Sequence, residues 1–156
     1  MNKLTCMVFA LMASLPMVAQ APKGIMVWKS ADLKAYAATL APKVDAHHVA
    51  SQALADFGTH NVMIAHREGS GEAEWHDNAA DFMVVQSGAC SLILGGTIVG
   101  GHSTGPGETR GASIEGGQTY PLAPGDIVNI PAKTPHQMIL PPGGQVTYFV
   151  VKVPTR

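Results

Sequence analysis

The sequence predicts a mainly β protein, a single-domain barrel or sandwich preceded by a short helical segment. Three observations carry that expectation. The chain has 156 residues, which suits one core, so a single domain is expected. Its 17 Gly and 11 Pro, set against only 13% charged residues, fit many short elements joined by turns. From His60 onward, short apolar runs alternate with Gly, Pro and Asn in the manner of an antiparallel sandwich or barrel.

The first 21 residues read as a signal peptide. Lys3 supplies a positive start, Leu4 to Ala19 is apolar apart from small polar residues and Pro16, and Ala19-Gln20-Ala21 has the small-x-small form of a cleavage site. The expected product is periplasmic or secreted, cut after Ala21. A stable membrane anchor is not expected, because about 20 uninterrupted apolar residues are needed to span and Pro16 falls near the end of a shorter run. Cys6 leaves with the leader, so Cys90 stays alone and no internal disulfide can form. With no base or cation nearby in the sequence, Cys90 reads as a small buried hydrophobe.

Residues 22–58 read as a helical segment packed on the barrel. Ser30 is the expected N-cap of a first helix, with Leu33, Tyr36, Ala37 and Leu40 on one face and Pro42 as its stop. A second helix is expected over Val44 to Phe57, from Val49, Ala53 and Phe57 at helical spacing and Gly58 at its end.

The barrel is expected over residues 59–156. Strands are predicted at Asn61–Glu68, Glu72–His76, Asp81–Ser87, Ala89–Leu94, Gly117–Leu122, Ile127–Ile130, His136–Leu140 and Gln145–Val153. The glycine-rich stretch from Gly95 to Gly116 reads as a long surface loop, in which Glu108 and Arg110 form a solvated ion pair. A formal net charge of -1 without a basic run excludes the electrostatic footprint of a nucleic-acid binder.

Two segments carry the chemistry. In Gly69-Ser70-Gly71-Glu72-Ala73-Glu74-Trp75-His76, strand alternation puts Glu74 and His76 on one face, able to approach one point inside a barrel. In Pro124 to His136, one turn, an apolar strand and a second turn over Pro131 to Pro135 lead to His136 at the start of the next strand. Imidazole nitrogens with one or two carboxylates suit a divalent transition metal. His66 and Arg67 face opposite ways, so one of them is expected to look inward, and His66 is held as a supporting residue. The pocket is expected to take its lining from Phe82 or Met83, Val128 or Ile130, Met138 and Tyr148.

Together these segments resemble the cupin superfamily. Gly69, Glu74, His76, Asp81 and Gly88 fall on the family's first motif, in which Glu74 stands where a first histidine would and Asp81 where a glutamate would. An alternative alignment that places His76 first and Asn78 second shortens the gap to Asp81. Gly125, Pro131, Lys133 and His136 fall on the second motif, where Lys133 replaces a glycine. The resemblance implies a cupin-type double-stranded β-helix with one divalent ion (Fe, Mn, Zn, Ni or Cu) held by Glu74, His76, His136 and Asp81. Asp81 is the catalytic base if it does not bind the ion. A small organic substrate is implied, with dioxygenase, isomerase or lyase chemistry; the alternative is a non-catalytic module that binds a small ligand in the periplasm. Pairing of two copies through edge strands is also implied.

Overall fold

In the computed structural model, which describes residues 24–155, helix α1 (Ser30–Leu40) is the first element. The proposed leader lies outside the described residues. Ser30 is the first helical residue rather than the cap; Lys29 takes the cap position and no side chain caps the free amides. Asp32 in the first turn complements the positive end of the helix dipole. The helix stops at Leu40, and Pro42 follows within a single 3-10 turn, Ala41–Lys43, because proline offers no amide to continue the ladder. No helix of the described residues is long and apolar enough to cross a membrane.

The expected second helix is a strand. β1 (Val49–Asp56) pairs antiparallel with β2 (Asn61–Arg67) from Val49↔Arg67 to Asp56↔Asn61, with a bulge between Ala53 and Ala55. The alanines that favour helix locally are overridden by an open sheet edge that supplies partners for their backbone. Next come β3 (Ala73–His76), β4 (Ala79–Gly88) and β5 (Cys90–Leu94). The Gly95–Gly116 stretch, expected as a loop, instead forms β6 (Thr97–Val99), β7 (His102–Gly105), β8 (Glu108–Gly111) and β9 (Ser113–Glu115). The chain closes with β10 (Gln118–Leu122), β11 (Ile127–Ile130), β12 (His136–Ile139) and β13 (Val146–Pro154).

Five strands form one sheet in the order β1-β2-β13-β4-β11, and six form the other in the order β10-β5-β12-β3-β8-β7. A small ribbon, β6-β9, stands apart. Between the large sheets lies the main core, with Met83, Val85, Leu92, Ile130, Val146 and Val150 among its members. Each such side chain contributes about 2 kcal/mol of hydrophobic stabilisation. A second cluster, Leu33, Leu40, Ala50 and Ile64 with Phe149, seats α1 on the outer face of the five-stranded sheet.

Because side chains alternate, β2 sends Met63, Ala65 and Arg67 to the interior and Val62, Ile64 and His66 outward. Gly88 has φ +73 and a Cβ there would run into the Gln145 carbonyl, so only glycine fits where β4 passes β13.

Candidate metal centre

The site is assembled from cross-strand neighbours. Glu74 on β3 is opposite His136 on β12 and, on its other side, opposite Arg110 on β8. His76 is opposite Glu108. From the facing sheet, Asp81 on β4 is opposite Lys152 on β13 and Ile130 on β11. Register alone therefore brings seven polar side chains from residues far apart in the chain to one end of the interior.

Glu74, His76 and His136 each offer a ligand atom, and these three atoms lie within 4.8 Å of one another. The two imidazole rings are 5.1 Å apart, tilted at 54°. His76 Nε2 is 3.7 Å from Glu74 Oε2 and 3.2 Å from Asp81 Oδ2; His136 Nε2 is 3.9 Å and 3.8 Å from the same oxygens. Both histidines are buried.

The opposite ring nitrogens are tied back. His136 Nδ1 donates to the Thr134 carbonyl at 3.0 Å, and His76 Nδ1 meets Glu108 Oε2 at 2.7 Å. Such bonds fix ring orientation and leave Nε2 for the centre, which is how metal-binding imidazoles are held. Asp81 Oδ1 is buried without a hydrogen bond, and its nearest cation is Lys152 at 3.4 Å. The donor set of two imidazoles and carboxylates fits one divalent transition ion.

No protein-family model matches the chain, and no curated protein matches it. Solved structures do match. KdgF from Halomonas sp. superposes with TM-score 0.51 at 15% identity, over 70% of this chain and 81% of that one. A variant of Streptomyces PAC13 with uridine gives TM-score 0.50 at 12% identity, over 72% and 74%. This chain has the cupin fold. It spans about half to two thirds of the length of two other matches: 66% of the polyketide cyclase RemF from Streptomyces resistomycificus and 47% of the DMSP lyase DddQ from Ruegeria pomeroyi. Their TM-scores are both 0.49, with identities of 19% and 14% over 70% and 68% of this chain.

Within the cupin fold the altered motif positions take on physical meaning. Lys133, in place of glycine, has φ 62, a left-handed conformation that side chains enter at a cost. Its amide donates to the His76 carbonyl at 2.7 Å, tying the second motif's turn to the first motif's strand. Burial lowers the proton affinity of both histidines. For His76 the hydrogen bond to Asp81 and the surrounding carboxylates reverse that, and its pKa ends above the ordinary value. His136 stays below it. Burial raises the Asp81 pKa, but His76 and Lys152 more than offset this and hold the carboxyl below its usual range.

Three side chains enter the site against or beyond expectation. Glu108 and Arg110 are half-buried: Arg110 bridges Glu108 at 3.2 Å and Glu74 at 3.3 Å, so they form a network around the histidines rather than a solvated pair. Lys152 Nζ lies 3.1 Å from His76 Nε2. The available signal was parity, since Lys152 shares its strand face with Val150 and Tyr148. His66, by contrast, is on the outer face, bonded to Thr147 Oγ1 at 2.8 Å, and it is Arg67 that looks inward. Met83, Met138 and Tyr148 line the interior cavity as expected, whereas Phe82 is exposed. Cys90 is buried, and that burial pushes its thiol up to about 11.

Proposed function

We propose that this chain is an exported, metal-dependent cupin enzyme acting on a small organic molecule at one divalent transition ion held by Glu74, His76 and His136. The observation that carries the reading is the convergence of these three donors within 4.8 Å, with Glu74 and His136 on the wall of a cavity of about 230 Å³. A bound ion supplies Lewis acidity to a carbonyl or phosphoryl oxygen and, if redox-active, a place to activate dioxygen. That range covers dioxygenase, isomerase and lyase chemistry.

Asp81 is the proposed base. Its carboxylate lines the cavity, touches His76 and is kept ionised by its neighbours, so it can accept a proton from a substrate positioned there. Lys152 stabilises that ionised form. Glu108 and Thr134 hold the imidazoles in place, and Met63, Met83 and Met138 give the cavity an apolar wall.

Elemental analysis of protein purified without an affinity step tests this reading, together with turnover of a small-molecule panel followed by NMR. Near-stoichiometric metal and turnover, both lost in His76→Ala and His136→Ala, are expected. A non-catalytic ligand-binding cupin is the second reading, favoured by the Lys152 ammonium beside His76, which opposes a cation. Metal-free protein that binds small molecules without turning them over supports it.

Export rests on Lys3, the apolar run and the Ala19-Gln20-Ala21 site, and N-terminal sequencing of the mature protein should begin at Pro22. Pairing into homodimers through an edge strand is proposed from the fold and is read by light scattering.

A further inference from the structure

We infer that the interior cavity takes a small carboxylic acid, gripping its carboxylate with Arg67. This deepens the proposed function by naming its ligand class; it rests on that reading for the chemistry but not for the binding.

Three cations and two carboxylates line the cavity. Arg110 is paired with Glu74 and with Glu108 nearby, and Lys152 with Asp81. Arg67 is different. It is 6% exposed, and among the described residues no carboxylate lies within ion-pair distance of it. Its Nη1 donates to the His47 carbonyl at 3.2 Å, while Nε is buried with no partner at all. A buried guanidinium without a counter-ion is costly, and an anion delivered by a ligand removes that cost.

The guanidinium is also held in place. A Cβ at Gly71 would lie 2.7 Å from Nη1 and 2.8 Å from Cζ, so this glycine leaves the space in which the fork lies. Tyr148 stands beside it: burial raises the tyrosine pKa, and contact with Arg67 acts in the opposite direction. A planar fork of donors next to a phenol matches the geometry of a carboxylate.

Position supports the same ligand. A surface recess that includes Asp45, His47, Glu72 and Thr104 shares Val49, Arg67, Glu74 and Arg110 with the cavity, so Arg67 stands where the mouth meets the interior and is the buried cation behind an acidic rim. Beyond it the wall is apolar and adaptable, with Met63, Met83, Leu92 and Met138. At about 230 Å³ the cavity is below the usual range for drug-sized ligands, so the acid is small, with an apolar body directed toward the metal ligands.

Calorimetric titration of the full chain with two shape-matched pairs that differ in charge, butanoate against butanamide and benzoate against benzamide, tests this. The proteins are wild type, Arg67→Met and Arg67→Lys, each stripped of metal and then loaded with zinc. At least one acid should bind the stripped wild type about tenfold or more tighter than its amide. Arg67→Met should abolish the preference while keeping zinc binding, and Arg67→Lys should reduce it because an ammonium lacks the fork. Should the methionine variant fail to fold, the lysine variant decides. Equal binding of acid and amide, no saturation by either acid, or a preference unchanged in the variants overturns the inference. A preference confined to zinc-loaded protein and indifferent to Arg67 does so too. Loss of zinc binding with the preference intact in stripped protein leaves the carboxylate site standing and removes the metal enzyme instead.

Discussion

Lys152 and Asp81 face each other across the β4–β13 ladder, with the ammonium 3.4 Å from Asp81 Oδ1. The same ammonium is 3.1 Å from the His76 nitrogen that faces the ligand cluster. A positive charge therefore stands beside the donor set proposed to hold a cation, and the two would compete.

Replacing the ammonium should tighten metal binding. Two unit charges 4 Å apart in a partly solvated protein interact by about 4 kcal/mol, and part of that opposes the ion in the wild type. Lys152→Met is expected to lower the zinc dissociation constant by about tenfold or more, read by competition with a chromogenic chelator. An unchanged or weaker constant would mean that Lys152 moves away when the ion binds or that the ion sits elsewhere.

Lys133 offers a prediction about stability. Its φ of 62 costs about 1 kcal/mol for a residue with a Cβ, and glycine removes that strain while adding some unfolded-state entropy. Lys133→Gly should raise the unfolding free energy by up to about 1 kcal/mol in denaturant melts, and Lys133→Ala should not. Gly88→Ala should do the opposite, losing more than about 2 kcal/mol, because a Cβ there meets the Gln145 backbone.

Cys90 links burial to pH. Its thiol is raised from 9.0 to about 11, so the folded protein holds the proton over a range where the unfolded chain has lost it. The stability this gives is complete below pH 9 and disappears as the pH rises through about 11. In a Cys6→Ser chain, reaction with a disulfide reagent at pH 8 should be about a hundredfold slower folded than in denaturant. Equal rates would show that the residue is exposed.

The second half of the chain was legible because its strands are apolar runs cut by Gly and Pro. The pattern from Ile127 through Pro131 to His136 places β11 and the start of β12 where they are found. Val49–Asp56 was not legible as a strand, since Ala-rich sequence with apolar residues four apart is locally helical and only pairing with β2 decides otherwise. The Gly95–Gly116 stretch hid its strands because three- and four-residue pieces carry too few side chains to show a period of two. At the site, Glu74, His76, Asp81 and His136 were marked by motif spacing and strand parity. Glu108 was not, because its role comes from the cross-strand register His76↔Glu108, which no local pattern encodes; for Lys152 strand parity gives the inward face, but its pairing with Asp81 comes from register.

The most direct measurement is anomalous diffraction from crystals of the wild-type chain soaked in zinc and collected on either side of the zinc edge. The account predicts one dominant anomalous peak bonded to Glu74, His76 Nε2 and His136 Nε2 together, absent from His136→Ala crystals soaked in the same way. Anomalous density confined to surface residues such as His47, His60 or His102, with nothing between the two buried imidazoles, would contradict it.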